Sequence, residues 1–346
     1  MQSKTRQRIK HFGEQIVQQV DHLQKFTVST TLMFAPFLIT LVIFATATLF
    51  FREYANEPKL EEVFKSWSLQ DSLRTVAHQD TALLVRVQGS RVTWSTFGSI
   101  HLLSCFAAFL TGVWIFRKNW MRYSFSQQLG LIVFTSATID LAFWIFLGEG
   151  RIKQLGIGLL NLTVGVTTRS LLNMTFYLDA IGLATAGFLA VSSCALLMLP
   201  AKGSRLDASE LLHRAQHQRL ILYASAVVLV TGVLHVSTLF HWSQECIPTS
   251  FVTLRSEMHT LVTSFVNSRA IFYSLVLGGI YLPGALFLQN ELQKLKRETT
   301  DEAPDKEVER ELATNYKDLI PRIIAVLAPL LAGPAFELFK AVLGAT

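Results

Sequence analysis

The feature that most limits what this chain can fold into is a series of long apolar blocks with the charges pushed into the gaps between them. Residues 172–199 carry one charged side chain, Asp179, in 28 positions, and residues 220–239 carry none. About 20 mostly apolar residues, rising 1.5 Å each, are needed for a helix to cross the hydrocarbon of a bilayer. Six blocks meet that requirement: 30–51, 97–116, 128–148, 172–199, 220–239 and 271–289. Composition agrees, with 51% apolar and only 16% charged residues, where a soluble chain would hold about 25% charged. The reading is an all-α polytopic membrane protein. It excludes a disordered chain and a cytosolic enzyme. Three widely spaced cysteines, Cys105, Cys194 and Cys246, give no disulfide framework.

Direction follows from the basic residues, which accumulate on the cytoplasmic side. With 1–29, 117–127, 200–219 and 290–346 inside, 20 of the 31 Lys and Arg are cytoplasmic. The short connection holding Arg117, Lys118 and Arg122 weighs most, because short loops obey the rule best. Both termini are expected in the cytoplasm, and a bacterial inner membrane is the expected setting. The net charge of +6 then reflects topology, and no specific nucleic-acid motif accompanies it.

The segments between and beyond the spans have patterns of their own. Within 1–29, Ile9, Phe12, Ile16, Val20, Leu23 and Phe26 fall on one stripe, predicting an amphipathic cytoplasmic helix on the lipid surface or against another subunit. Residues 52–96 are expected to form a small outer α/β cap, with a β-hairpin where LLVRV and RVTW flank a Gly-containing turn. Residues 97–289 make a five-helix membrane core. Inside it, 249–268 read as an amphipathic helix lying flat at the outer interface, with Phe251, Leu254, Met258, Leu261 and Phe265 on one side. Residues 290–346 combine a charged linker with an apolar end interrupted by Pro321, Pro329 and Pro334. Short cytoplasmic helices or a re-entrant pair are expected there, with a seventh span as the alternative.

Ionisable groups inside a bilayer are costly and tend to face an interior. Four fall within the blocks, His101, Asp140, Asp179 and His235, and all lie in the outer halves of their helices. They form the expected ion pathway or polar cavity, together with Ser136, one turn before Asp140. Asp140 is the foremost of these. It lies about 12 Å deep, at 1.5 Å per residue, and no Lys or Arg shares its span. At the cytoplasmic edge, Lys202, Arg205, Arg214 and Arg219 are candidates to contact an anionic ligand or lipid headgroups. His213 and His217 stand at i and i+4 without a third metal-ligand pattern, and one histidine in each of two spans falls short of a bis-histidine haem signature. No metal or cofactor is expected. There is no phosphate-binding glycine loop, no HExxH and no GxSxG, so the chain does not read as an enzyme.

These features lead to three functional expectations. The first is a homo-oligomeric membrane channel or membrane-perturbing effector; assignment to a bacterial defence system rests on domain style alone. The second is a proton-coupled or small-solute transporter working through Asp140 and Asp179. The third is a non-catalytic membrane sensor or assembly subunit. Expected partners are the lipid bilayer, further copies of the chain, and a cytoplasmic anionic ligand or regulatory partner.

Overall fold

The computed structural model describes residues 81–120, 168–197, 208–298 and 316–344, with isolated helical positions among 38–46, 128–137 and at 160. Five helices carry this region: α1 (Thr81–Trp120), α2 (Thr168–Leu197), α3 (Ala208–Glu245), α4 (Val252–Glu298) and α5 (Tyr316–Gly344). The first four are long and apolar enough to cross a membrane, which makes this a helical membrane protein. They contain the expected blocks 97–116, 220–239 and 271–289, and the block 172–199 as far as Leu197. The blocks 30–51 and 128–148 lie largely outside the described residues, as do the amphipathic segment at 1–29, residues 52–80 and the charged linker at 299–315.

α3 is the centre of the bundle, packing against each of the other four helices. Near its start Leu220, Tyr223 and Val227 leave one face exposed opposite Ile221, Leu222 and Ala226. From Val228 to Gln244 no position is exposed, as an interior stretch demands. A tight connection joins it to α4: the Ile247 amide donates to the Gln244 carbonyl, and the Phe251 amide donates to that of Pro248. Arg255 at the start of α4 closes the corner on Glu245 at 3.0 Å.

Three expectations are corrected here. Residues 83–94 are not a hairpin but the first turns of α1, in which Leu83, Val87 and Trp94 are buried. The short alternation fits both periods, and burial selects the helical one. A Cβ at Gly89, expected to mark the turn, would meet nothing within 4 Å. Residues 252–268 are not a separate flat helix. They continue without a break into the sixth block as α4, and Met258, Val262, Phe265 and Val266 pack on α3 residues Val233, Val236 and Phe240. Finally, the apolar end is one helix, not short pieces, with all three prolines inside it.

α5 turns small residues inward. Ala325, Pro329, Ala332 and Gly333 are buried, whereas Ile320, Ile323, Ile324, Leu327, Leu330 and Leu331 are exposed. Small residues let helix backbones approach closely in a membrane. Ala325 packs among Ile221, Val276 and Ile280, and Ala332 among Val236, Val262 and Val266. The helix therefore climbs along α3 and α4 from their basic end, marked by Arg219 and Lys294, toward the end where they meet.

Candidate functional site

Four helices bring polar side chains together toward the end of the bundle opposite Arg117 and Lys118. Asp179 of α2 and Arg269 of α4 form an ion pair at 3.6 Å, each side chain only 4% exposed. The Arg269 Nε also donates to the Tyr273 hydroxyl at 2.9 Å, one turn further along α4. Removing two charges from water costs several kcal/mol per ion unless each finds a partner. Pairing across two helices answers that cost and fixes α2 against α4.

Beside this pair lie the two membrane histidines. The rings of His101 in α1 and His235 in α3 have centroids 5.9 Å apart and planes 6° apart. His101 Nδ1 is 3.0 Å from the Thr231 hydroxyl. That hydroxyl has one proton and carbonyls of its own helix to give it to, those of Val227 and Val228 at 2.8 and 3.0 Å. Nδ1 thus faces the Thr231 hydroxyl, and Nε2 faces the Cys105 thiol at 3.6 Å. A Cβ at Gly182, one turn from Asp179, would stand 2.7 Å from His101 Nε2, so only glycine lets α2 pack here.

Aromatic rings close the outer side of the cluster. Trp94 lies 5.8 Å from His235 and stacks on Trp242 at 5.4 Å. Both indoles are buried, and their N–H groups have no hydrogen-bond partner among the described residues. Buried indole donors call for an acceptor, and these two stand on the His235 side of the cluster.

The structure thus brings together His101, Asp179 and His235. Asp140 lies outside the described residues, as do Lys202 and Arg205; Ser136 is helical and exposed. Arg269, Tyr273, Thr231 and the two tryptophans went unnoticed in the sequence. Arg269 was counted as an outer-loop charge, yet the signal was there: Asp179 lacks a cation in its own span, and Arg269 stands four residues before a tyrosine.

At the basic end the arginines serve different purposes. Arg214 is buried, bonded to Glu210 at 3.0 Å and to the Leu196 carbonyl at 2.9 Å. It caps the C-terminal turn of α2, where carbonyls lack helical partners. His217 stacks edge-on against Trp114 and lies 4.1 Å, ring to ring, from His213, which contacts Lys118. Among the described residues, no three His, Cys, Asp or Glu side chains gather as a metal site. Comparison with protein families, curated proteins and solved structures finds no match for the chain.

Proposed function

We propose that the chain is a proton-coupled membrane transporter in which the Asp179–Arg269 pair is the coupling element. The observation that carries this reading is a buried carboxylate–guanidinium pair between two membrane-length helices, with two imidazoles packed beside it. A proton reaching Asp179 would cancel its charge and leave Arg269 without its counter-ion. The favoured arrangement of α2 against α4 would then change, and that link between protonation and helix packing is what coupling requires. No covalent step is asked of these residues. Asp140 belongs to the same proposal as a second proton or cation site on its own span.

Topology enters the proposal as well. With Arg117, Lys118, Arg214 and Arg219 on the cytoplasmic side, the ion pair and its tryptophans lie toward the outer surface. The climb of α5 along α3 and α4 then carries the C-terminus outward rather than back to the cytoplasm. A bacterial inner membrane remains the proposed setting.

The second reading, a homo-oligomeric channel or effector, has one observation in its favour. α1 leaves Val85, Val92, Leu103, Phe106, Leu110 and Trp114 exposed along its length, an apolar face suited to another copy as well as to lipid.

Proteoliposomes loaded with a pH-sensitive dye separate these readings. Wild-type protein should move protons down an imposed gradient, and Asp179→Asn should reduce that flux at least tenfold. Wild-type flux in Asp179→Asn overturns the assignment. Unitary conductance steps in a planar bilayer from a closed ring of subunits would favour the channel.

A further inference from the structure

α4 is the longest of the five helices, and its sequence gives it one weak turn. Gly278, Gly279, Pro283 and Gly284 all fall in 278–284. Pro283 has no N–H for the Gly279 carbonyl and crowds it, and sharp helix kinks occur at such positions. The stretches of α4 on either side belong to different clusters. In 252–277, Phe265 and Val266 pack with Phe240 of α3 and Ala332 of α5. In 285–298, Leu288 and Leu292 pack with Val191 of α2 and Leu211 of α3.

The surroundings of the turn suit a bend. Gln218 of α3, itself buried, donates to the Ile280 carbonyl at 3.2 Å. In a straight helix that carbonyl belongs to the Gly284 amide. A second donor therefore already stands beside it. A bend that draws the Gly284 amide away leaves the carbonyl paired, where an unmet acceptor in the bundle interior would be costly. Against the same turn, α3, α4 and α5 enclose a groove of about 480 Å³, with Gln218, Tyr281, Ala285 and Leu327 of α5 in its wall. Protein interiors are otherwise close-packed, and the groove gives the turn space to bend into.

We infer that α4 is hinged at 278–284 and that Gln218 is the substitute donor that lowers the cost of bending. Arg269 stands 14 residues before Pro283, about 21 Å away at 1.5 Å per residue. A bend of about 20°, the threshold of a sharp kink, swings Arg269 by about 7 Å. The Asp179–Arg269 pair, at 3.6 Å, therefore holds the straight form. The hinge itself rests on the packing of α4 and not on proton transport.

Double electron–electron resonance on the full chain in lipid discs tests this, with spin labels on Ser170→Cys in α2 and Ser264→Cys in α4. Both positions are exposed, and the three native cysteines are buried. The chain with no further substitution should show two distances, and Pro283→Ala should leave one. Gln218→Leu should cut the second population about tenfold, the equivalent of one unmet buried carbonyl. Leu327→Trp, which fills the groove from α5 and leaves α4 unaltered, should deplete it as well, and it decides the matter if Gln218→Leu does not assemble. Asp179→Asn should enrich it; two populations indifferent to that substitution would support the hinge while sinking the coupling proposed above. A single distance before any further substitution overturns the inference, and so do two populations that persist unchanged in Pro283→Ala.

Discussion

Breaking the Asp179–Arg269 pair should cost far more when one partner is removed than the pair itself is worth. At 3.6 Å the two charges attract by about 4–5 kcal/mol at an effective dielectric of 20. Much of this offsets the loss of hydration on burial. Asp179→Asn keeps the shape of the side chain but strands a buried guanidinium, and the expected loss is about 3–5 kcal/mol. Arg269→Gln strands the carboxylate and also removes the donor to Tyr273, so a similar loss is expected. The double variant strands no charge. It should be more stable than the sum of the single losses by about 3 kcal/mol, the upper part of the range measured for coupled neighbours. Unfolding in mixed micelles by increasing SDS, followed by tryptophan fluorescence, gives all four corners of this cycle. Single losses that add to within about 0.5 kcal/mol, as distant sites do, would refute the idea that the pair is an energetic unit. That result would also remove the physical basis for coupling, independently of any flux measurement.

Further outcomes follow from other contacts. Gly182→Ala forces a methyl to 2.7 Å from His101 Nε2 while Thr231 holds the other nitrogen; thermal unfolding should show a loss of about 1–3 kcal/mol, mostly recovered in Gly182→Ala/His101→Ala. Arg214→Met removes the donor to the Leu196 carbonyl and one bond to Glu210; the same assay should show a loss of about 1.5–3 kcal/mol. Gln218→Leu removes the donor to the Ile280 and Tyr281 carbonyls and should cost about 1–3 kcal/mol. For topology, Thr346→Cys should react with an impermeant maleimide from the same side as Thr249→Cys and the opposite side from Ser204→Cys.

The apolar blocks announced the membrane helices because hydrophobic length is a one-dimensional property, read without knowledge of any partner. Helix ends were harder. Arg269 looked like the outer limit of the sixth span because an unpaired charge belongs in water. Its counter-ion stands 90 residues earlier in the chain, on α2, so the reading needed the tertiary structure. The same ambiguity produced the false hairpin. Over five residues, Leu83, Val85 and Val87 alternate as a strand would, yet α1 buries Leu83 and Val87 and exposes Val85 at 70%. Which of the two periods counts depends on what the segment packs against. The prolines of α5 misled for a third reason. Each removes one N–H, but a helix pressed against α3 and α4 through Ala325, Ala332 and Gly333 gains enough contact to absorb the missing bonds.

Among the described residues α3 carries more buried polar side chains than any other helix, and α2 comes next. Toward one end Arg269 and Tyr273 of α4 face Asp179 of α2, with Thr231 and His235 of α3 beside them. Toward the other, Gln218 of α3 donates to the Ser193 hydroxyl of α2 at 2.8 Å and to the Ile280 carbonyl at 3.2 Å, and Ser193 lies 3.1 Å from that same carbonyl. These contacts adjoin Pro283, which supplies no N–H and crowds the carbonyl of Gly279. Gly284 makes the approach possible, since a Cβ there would stand 2.6 Å from the Gln218 amide. Side-chain donors thus support the α4 backbone at its weakest point, as membrane helices with internal proline require. Gln218 also lines the groove between α3, α4 and α5. Gln218 of α3 therefore touches both the proline turn of α4 and that groove, while α4 itself carries Arg269 to the buried ion pair. A rearrangement of α4 about Pro283 would be felt at both ends of the bundle. Under the coupling proposed above, α4 is the element that would carry a change at Asp179 to the opposite end of the bundle.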